Sequence, residues 1–155
     1  MAASDGAPDG SAAAFRQKSA ELLLRLYEMR REPSLRAARD WWVMRFHPGS
    51  ARDVLGTWVG RDSAPYRMVT TYWEMAASFV TLGAIDAEMF HAANTEHLAI
   101  YAKLQPHLAE LRALARYPDY LIHLEQVVTG LPAMESKLGP IKAFLARRAG
   151  EAGAA

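Results

Sequence analysis

The sequence predicts an all-α fold, a single-domain bundle of six to eight helices around a central apolar helix at residues 64–82. Three observations lead to this prediction. Apolar residues recur at three- and four-residue spacing in successive segments, and no segment shows the apolar–polar alternation of a strand. The 155 residues are 51% hydrophobic, which is enough for one core. Glycine and proline residues separate the periodic segments, as is typical of the turns between helices.

The N-terminal part of the chain contains three predicted helices. Residues 15–32 carry an apolar stripe at helical spacing, with Ser11 as a candidate N-cap and Pro33 as the stop. Residues 34–46 form the second helix, and residues 50–59 form a shorter third helix that an internal glycine weakens. A proline or a glycine follows each of the three.

The central helix is predicted to start at Ser63 as N-cap, with Pro65 in its first turn, and to end at Gly83 as C-cap. The stretch 68–85 holds a single formal charge, Glu74. Apolar residues cover most of the helix circumference, which is typical of the centre of a bundle or of a membrane span. The length and the central charge argue against a span, so we expect a buried helix, packed by residues 97–115 and 119–128, and no membrane partner.

The remaining helices are predicted from helix-capping residues and from helix-breaking prolines and glycines. Asp86 is predicted to cap a short helix, and Thr95 is predicted to start a longer one. Pro106 should kink or break that longer helix near Gln105, because proline cannot donate the helical hydrogen bond. The predicted ranges are 87–93, 96–116, 120–128 and 140–148.

We expect the folded domain to cover residues 14–148. The segments 1–13 and 149–155 are expected to be disordered, because they have too little apolar content to offset the entropy of ordering. The first segment also lacks the basic and apolar regions of a secretory signal. Together with the absence of cysteine, this composition indicates a cytoplasmic protein.

Glu74 needs a partner if it lies inside the bundle. An unpaired buried carboxylate either becomes neutral or finds a cation and hydrogen bonds. Arg112 is the predicted cation, because it is the only one between Lys103 and Arg116 and lies in an apolar-rich segment. Such a pair either fixes the helix register or belongs to a ligand-binding or catalytic site. In the second case, the predicted polar pocket consists of Glu74, Arg112, Tyr72, Tyr101 and Glu125.

A series of short motifs resembles a known family. The motifs are Tyr72-Trp73-Glu74, 82-LGAID-86, Tyr101, 104-LQPHLAELR-112, Tyr117-Pro118 and Leu124-Glu125. In order and spacing they resemble the bacterial domain-of-unknown-function family numbered 4760, over residues 20–126. The resemblance implies no activity, because the family has none established. Members often carry an N-terminal membrane helix and an aromatic residue where this chain has Leu124, and the chain departs from both patterns. The recurring framework that the resemblance implies consists of Glu74, Asp86, Arg112 and Glu125.

No metal site, cofactor site or catalytic group is predicted. Glu88 and His91 have the Glu-x-x-His spacing of di-iron bundles, but those bundles need that motif twice and it occurs once. The other histidines, including His97, are scattered and are interpreted as solvated. The glycines form no phosphate-binding loop, and the chain has no cysteine.

The adjacent residues Trp41 and Trp42 point about 100° apart on a helix, so we expect only one of them to be fully buried. The other indole, beside Arg39 and Arg45, either forms a binding surface or is covered by the arginine side chains. A nucleic-acid platform of aromatic and basic groups is a further interpretation. The predicted interface consists of Trp41, Trp42, Arg39 and Arg45.

Charge is unevenly distributed along the chain, although the net charge is only +1. Residues 16–61 hold ten Lys and Arg against five Asp and Glu, and residues 62–135 hold four against nine. Such a molecule matches another copy of itself better than it matches nucleic acid, which usually requires a clear basic excess. We therefore expect a non-enzymatic interaction or scaffold module that forms a homo-oligomer and binds an unknown protein partner. The alternatives are a small-ligand-binding or enzymatic bundle around Glu74 and Arg112, and weak nucleic-acid binding by the basic N-terminal half.

Overall fold

The computed structural model describes residues 10–154, and every regular element in that range is a helix, as predicted. None of these helices is long and apolar enough to cross a membrane. The elements are α1 (Gly10–Arg30), α2 (Pro33–Met44), α3 (Ala51–Val59), α4 (Ser63–Thr81), α5 (Ala87–Ala93), α6 (Glu96–Leu104), α7 (Leu108–Ala115), α8 (Ile122–Thr129) and α9 (Met134–Gly153).

A 3₁₀ turn at Gln105–His107 joins α6 to α7 and contains Pro106. The predicted break near Gln105 is therefore confirmed, and its cause is the missing N–H of the proline. If α6 and α7 are taken as one bent helix, residues 10–154 form eight helical units, within the predicted six to eight.

Helix α4 lies at the centre of the bundle, as predicted. Helices α2 and α8 pack against it most extensively, and α3 packs against it as well. The expected neighbour at residues 97–115 packs mainly elsewhere, since α6 packs on α9 and α7 packs on α3. The apolar side of α2 takes that position beside α4. The buried residues of α4 are Tyr66, Val69, Thr70, Tyr72, Trp73, Ala76 and Ala77.

The two ends of α4 differ in how well the sequence predicts them. Gly83 adopts a φ of 79°, and the N–H groups of Gly83 and Ala84 donate to the carbonyls of Val80 at 3.0 Å and Phe79 at 2.7 Å. This Schellman arrangement confirms the predicted C-cap. The N-cap prediction is wrong, because α4 begins at Ser63 itself and no side chain caps its first turn.

The other predicted caps also have mixed outcomes. Asp86 caps α5 as predicted, because its Oδ1 accepts from the N–H of Met89 at 2.9 Å. Thr95 precedes α6 as predicted, but its side chain makes no capping hydrogen bond. Ser11 lies inside α1 rather than before it, since that helix begins one residue earlier.

The terminal helices α1 and α9 are longer than predicted, and α9 continues through Pro140. Residues 10–13 and 149–153 are helical where the sequence led us to expect disorder, and they are exposed. Alanine has the highest intrinsic helix propensity, which explains both extensions. Residues 1–9 of the predicted leader and residue 155 lie outside the described residues. The domain boundaries at 14 and 148 stay predictions.

Candidate functional site

Glu74 caps the N-terminus of α8. Its Oε1 accepts a hydrogen bond from the backbone N–H of His123 at 3.0 Å, and its Oε2 accepts one from Leu124 at 2.9 Å. These N–H groups belong to the first turn of α8, where a helix has no carbonyl to offer them. The preceding residue, Leu121, has a φ of 56° and makes no side-chain capping bond. A carboxylate from α4 therefore takes the role that a local Ser, Thr, Asp or Asn has in most helices.

Arg112 is not the partner of Glu74, so the predicted pair is wrong. One Nη of Arg112 lies 2.8 Å from Glu125 Oε2, and its Nε donates to the carbonyl of Tyr120 at 2.9 Å. Glu74 needs no cation, because two N–H groups and the positive end of the α8 dipole stabilise its carboxylate. The prediction that Glu74 is hydrogen-bonded is confirmed, although its side chain is half-buried rather than largely buried.

Tyr101 lies close to the Arg112–Glu125 ion pair. Burial raises the pKa of Tyr101, the negative charge of Glu125 raises it further, and Arg112 opposes this effect. The side chains of the ion pair are only 17% and 29% exposed. Three of the five predicted pocket residues thus form one cluster, which ties α7 to α8 and leaves Glu74 outside it.

Tyr72 lies apart from both of these places. Its hydroxyl donates to the carbonyl of Leu26 at 2.7 Å, and burial raises its pKa to about 12. The charges that act on Tyr72 are those of Arg30, Glu96 and Arg39. The polar pocket predicted from the sequence therefore does not form as one site, because its five residues are divided among three places.

Glu96 is the centre of the most extensive ionic cluster among residues 10–154. It accepts hydrogen bonds from Arg39 Nε at 2.8 Å and from Trp73 Nε1 at 3.1 Å, and Arg30 lies 3.3 Å away. The Arg30 guanidinium also lies over the Trp73 ring, 5.2 Å from its centroid. Burial by itself would raise the pKa of Glu96, but the hydrogen bond and charge of Arg39 and the charge of Arg30 outweigh it, so the pKa is lowered.

Nothing in the local sequence distinguishes Glu96 as a site residue, because a Glu in the first turn of a helix is ordinary. The two arginines of the cluster, in contrast, have sequence positions that point to an acidic partner. Arg30 lies four residues after the buried Leu26, and Arg39 lies four residues after the buried Leu35. Both arginines therefore continue buried helix faces, and a cation in such a position requires an acidic partner.

A groove of about 590 Å³ opens beside Glu74, and we call it the Glu74 groove. Its walls come from α3, α4 and the segment that leads into α8. Trp58 and Tyr120 stack in it with centroids 4.2 Å apart, and Tyr120 shares a 2.7 Å hydrogen bond with the buried Tyr66. His123 shares a 2.6 Å hydrogen bond with Thr81 beside it. The lining residues are Trp58, Thr70, Thr71, Glu74, Met75, Ser78, Leu82, Tyr117, Tyr120, Leu121 and His123.

His91 and His97 form a hydrogen-bonded pair, with Nδ1 of the first 3.0 Å from Nε2 of the second. The interpretation of His97 as solvated is wrong, because it is fully buried between Phe90 and Trp73. Burial, then the neighbouring His91 and Arg30, lower the pKa of His97 to about 3. Within residues 10–154, no group of three or more potential metal ligands converges.

The two adjacent tryptophans have different environments, as predicted. Trp42 is only 1% exposed, whereas Trp41 is half-buried and stacks on Phe46 with centroids 5.3 Å apart. Of the two arginines in the predicted interface, Arg45 is exposed beside Trp41. Arg39 is instead turned inward to the Glu96 cluster. Of the four residues in the predicted interface, Trp41 and Arg45 are therefore the two that remain accessible at the surface.

Lys103 holds the C-terminal end of α2. Its Nζ donates to the carbonyls of Trp42 at 2.6 Å and Phe46 at 2.7 Å, and lies over both rings. Burial lowers the pKa of Lys103 to about 8. Because helix C-terminal carbonyls lack partners within the helix, this amine has a structural role as a cap.

A second groove, of about 550 Å³, lies between α1 and α5, and we call it the α1–α5 groove. Its lining is mostly apolar. Leu24 and Tyr27 are 65% and 57% exposed, which is unusual for large apolar side chains that neighbour one another. The lining residues are Ala20, Leu23, Leu24, Tyr27, Met89, Ala92, Ala93 and Asn94.

A family model described as "Domain of unknown function (DUF4760)" matches residues 17–131. No curated protein matches the chain, and no solved structure matches it. The matched range runs from α1 to the end of α8 and includes the Glu74 groove, the α1–α5 groove and the Glu96 cluster.

Proposed function

The chain belongs to the domain-of-unknown-function family DUF4760, and we propose that it is a non-enzymatic interaction module that self-associates through the α1–α5 groove. The observation that carries this proposal is the pair of exposed apolar residues, Leu24 and Tyr27, at the edge of an apolar groove. A neighbouring set of such residues on one face marks an interaction site more often than an isolated one does. The absence of cysteine supports a cytoplasmic location.

The α1–α5 groove is suited to a second copy of the same chain because it combines large and small side chains. Leu24 and Tyr27 project from α1, whereas Ala20, Ala92 and Ala93 leave space beside them. In a two-fold dimer the same patch of each subunit faces the other, so the large residues of one copy can enter the space of its partner. Burial of these side chains would supply the apolar centre that stable interfaces have.

The charges around the groove support the same occupant. The exposed side of α1 carries both signs, since Lys18 and Arg25 alternate with Glu21 and Glu28. An antiparallel pair of α1 helices can therefore oppose unlike charges around an apolar centre. A polar rim of this kind favours the correct partner and orientation more than it adds affinity.

The surface around Trp41 is a weaker candidate for the centre of the interface. Trp41 is half-buried, and the groove beside it is lined by Arg45, Asp53, Arg61 and Asp62. Interface centres are depleted in charged residues, so these side chains suit a rim. We therefore place the apolar centre of the interface at α1 and α5 instead of at Trp41.

The distribution of buried charge argues against a nucleic-acid partner. Arg30 and Arg39 contribute to the basic excess of residues 16–61, but both are paired with Glu96 and mostly buried. The positive charge available on the surface is smaller than the sequence suggests. We expect binding to generic DNA or RNA with a dissociation constant no tighter than about 10⁻⁵ M at physiological salt.

The experiment is sedimentation velocity of the purified chain at micromolar concentration. We expect a dimer or higher oligomer for the wild type and a monomer for Leu24→Glu, because a charge at the centre of the patch would be desolvated without a partner. Val59→Glu is the matched control, since Val59 is 76% exposed on α3 and away from the groove. We expect it to sediment like the wild type.

Two results would contradict the proposal. One is a wild-type monomer at high micromolar concentration, and the other is an equal loss of self-association in both variants. A monomer that co-sediments tightly with a labelled oligonucleotide would instead favour nucleic-acid binding.

A further inference from the structure

The Glu74 groove contains one carboxylate, and within residues 10–154 that carboxylate accepts two backbone N–H groups but pairs with no cation. Among the residues that line it, Glu74 is the only Asp or Glu, and none is a Lys or an Arg. Arg112, the nearest cation that the sequence suggested, is engaged with Glu125 instead. The charge of the groove is therefore available to a cation from solution.

The Glu74 carboxylate retains acceptor capacity after it caps α8. Each of its oxygens accepts one backbone N–H, from His123 and from Leu124. An ionised carboxylate offers about four lone-pair sites, so about two remain. A ligand N–H group could occupy them without displacing the cap.

The rest of the groove is aromatic and apolar. Trp58, Tyr117 and Tyr120 supply rings, and Met75 and Leu82 supply aliphatic surface. Aromatic faces attract ammonium groups, and the effect is larger where water is excluded. At the mouth of the groove, Leu82 is 75% exposed and Tyr117 is 51% exposed, so a bound molecule would cover apolar surface that now faces water.

The cap on α8 alone does not explain this arrangement. A Ser, Thr, Asp or Asn at position 121 would cap the helix locally, as in most proteins. The chain has instead a leucine at a positive φ there and a glutamate from another helix. Capping needs no aromatic rings around the carboxylate and no open volume of about 590 Å³, which lies within the range of small-molecule sites.

We infer that the Glu74 groove binds a small organic cation, an ammonium group carried on an apolar or aromatic body. The ammonium group donates to the free lone pairs of Glu74, and the body lies against Trp58, Tyr117 and Leu82. An anionic ligand is disfavoured by the charge of Glu74. This ligand site is on the opposite side of α4 from the Glu96 cluster and does not depend on self-association.

Three probes of similar shape test the inference: 2-phenylethylamine, which is a cation at neutral pH, 2-phenylethanol, which is neutral, and phenylacetate, which is an anion. Each is titrated into the ¹⁵N-labelled full chain at millimolar concentration, and amide shifts in α4 and α8 are followed. We expect the amine to bind at least about ten-fold more tightly than the alcohol and the anion not to bind.

Two variants and a matched control locate the site. Thr71→Phe fills the groove from an exposed position, and we expect it to abolish binding of the amine. Thr129→Phe is the control, because Thr129 is also exposed and also bonds to the carbonyl four residues earlier, but does not line the groove. Glu74→Gln should remove the preference for the amine over the alcohol.

The inference is overturned if the amine does not bind, if the alcohol binds equally well, or if Thr71→Phe binds the amine like Thr129→Phe. Because Thr71 is exposed, its variant is expected to fold even if Glu74→Gln does not. Equal binding of the amine and the alcohol would show a neutral-ligand site, and preference for phenylacetate would reverse the assigned charge.

Discussion

At the scale of single residues, charged side chains in this fold bind backbone groups at helix ends as well as other charged side chains. Glu74 accepts from two N–H groups at the start of α8, and Lys103 donates to two carbonyls at the end of α2. Each side chain meets an end of a helix whose dipole has the opposite sign. Charged residues in this fold therefore complete helices that lack local caps.

We predict that Arg112 is energetically coupled to Glu125 and not to Glu74. In a double-mutant cycle of Arg112→Met with Glu125→Gln, the coupling should be about 0.5–3 kcal/mol, because the two groups are in direct contact. In the cycle with Glu74→Gln, the two changes in unfolding free energy should add to within about 0.5 kcal/mol. Urea denaturation of the single and double variants measures both. Additivity in the first cycle or coupling in the second would contradict the geometry described above.

The need of Glu74 for partners could be predicted from the sequence, but the partners themselves could not. A lone carboxylate in an apolar helix requires hydrogen bonds wherever it lies. The N–H groups that satisfy it belong to His123 and Leu124, and every residue except proline has such a group. The docking of α8 on α4 brings these two N–H groups to Glu74.

At the scale of elements, the two glycines Gly56 and Gly83 differ in the backbone conformation that they adopt. Gly56 lies within α3, and a Cβ built on it meets no atom within 4 Å. Gly83 also has space around a Cβ, but its φ of 79° is one that residues with a side chain rarely adopt. The same substitution should therefore change stability in opposite directions.

We predict that Gly56→Ala stabilises the protein by about 0.5–1 kcal/mol, because alanine loses less backbone entropy in a helix. Gly83→Ala should destabilise it by about 1 kcal/mol, because the left-handed conformation of the C-cap is strained for alanine. Chemical denaturation of both variants beside the wild type checks the signs. Two changes of the same sign would mean that the end of α4 is placed differently.

Pro106 and Pro140 show to what extent helix boundaries could be predicted from the sequence. Pro106 breaks the α6–α7 segment as expected, whereas Pro140 lies inside α9. After the first proline the two halves pack on different helices, so the break is kept. On either side of the second, Leu138 and Leu145 are both buried, and their packing holds one continuous helix. Tertiary packing of this kind is not visible in a local pattern.

At the scale of the whole molecule, the Glu96 cluster connects helices that are distant in sequence. Glu96 belongs to α6, Arg30 to α1, Arg39 to α2 and Trp73 to α4. The cluster therefore joins the basic N-terminal half to the acidic middle of the chain. The sequence predicted this contrast of charge between the two segments. Part of the opposite charge is paired within one molecule, in the Glu96 cluster.

We predict that Glu96→Gln destabilises the fold by about 2–4 kcal/mol, because two mostly buried guanidinium groups lose their counter-charge. Glu88→Gln is the control, since the Glu88 side chain is 83% exposed, and it should change stability by less than about 0.5 kcal/mol. The pKa of Glu96 is lowered in the folded state, so its contribution is present above the unfolded pKa and is lost as the pH falls through the folded one. The difference between wild type and variant should therefore shrink below about pH 4. A constant difference down to pH 2 would exclude an ionic origin.

The cap that Glu74 places on α8 also has a consequence for the order of folding. A helix of eight residues is too short to persist alone in water, and the two residues joined by the cap are 50 positions apart. Residues 122–129 can therefore become helical only after α4 has formed and docked, late on the refolding pathway. In native-state hydrogen exchange, the amides of His123 and Leu124 should therefore be no better protected than those of α4, because every opening that exposes α4 also exposes them.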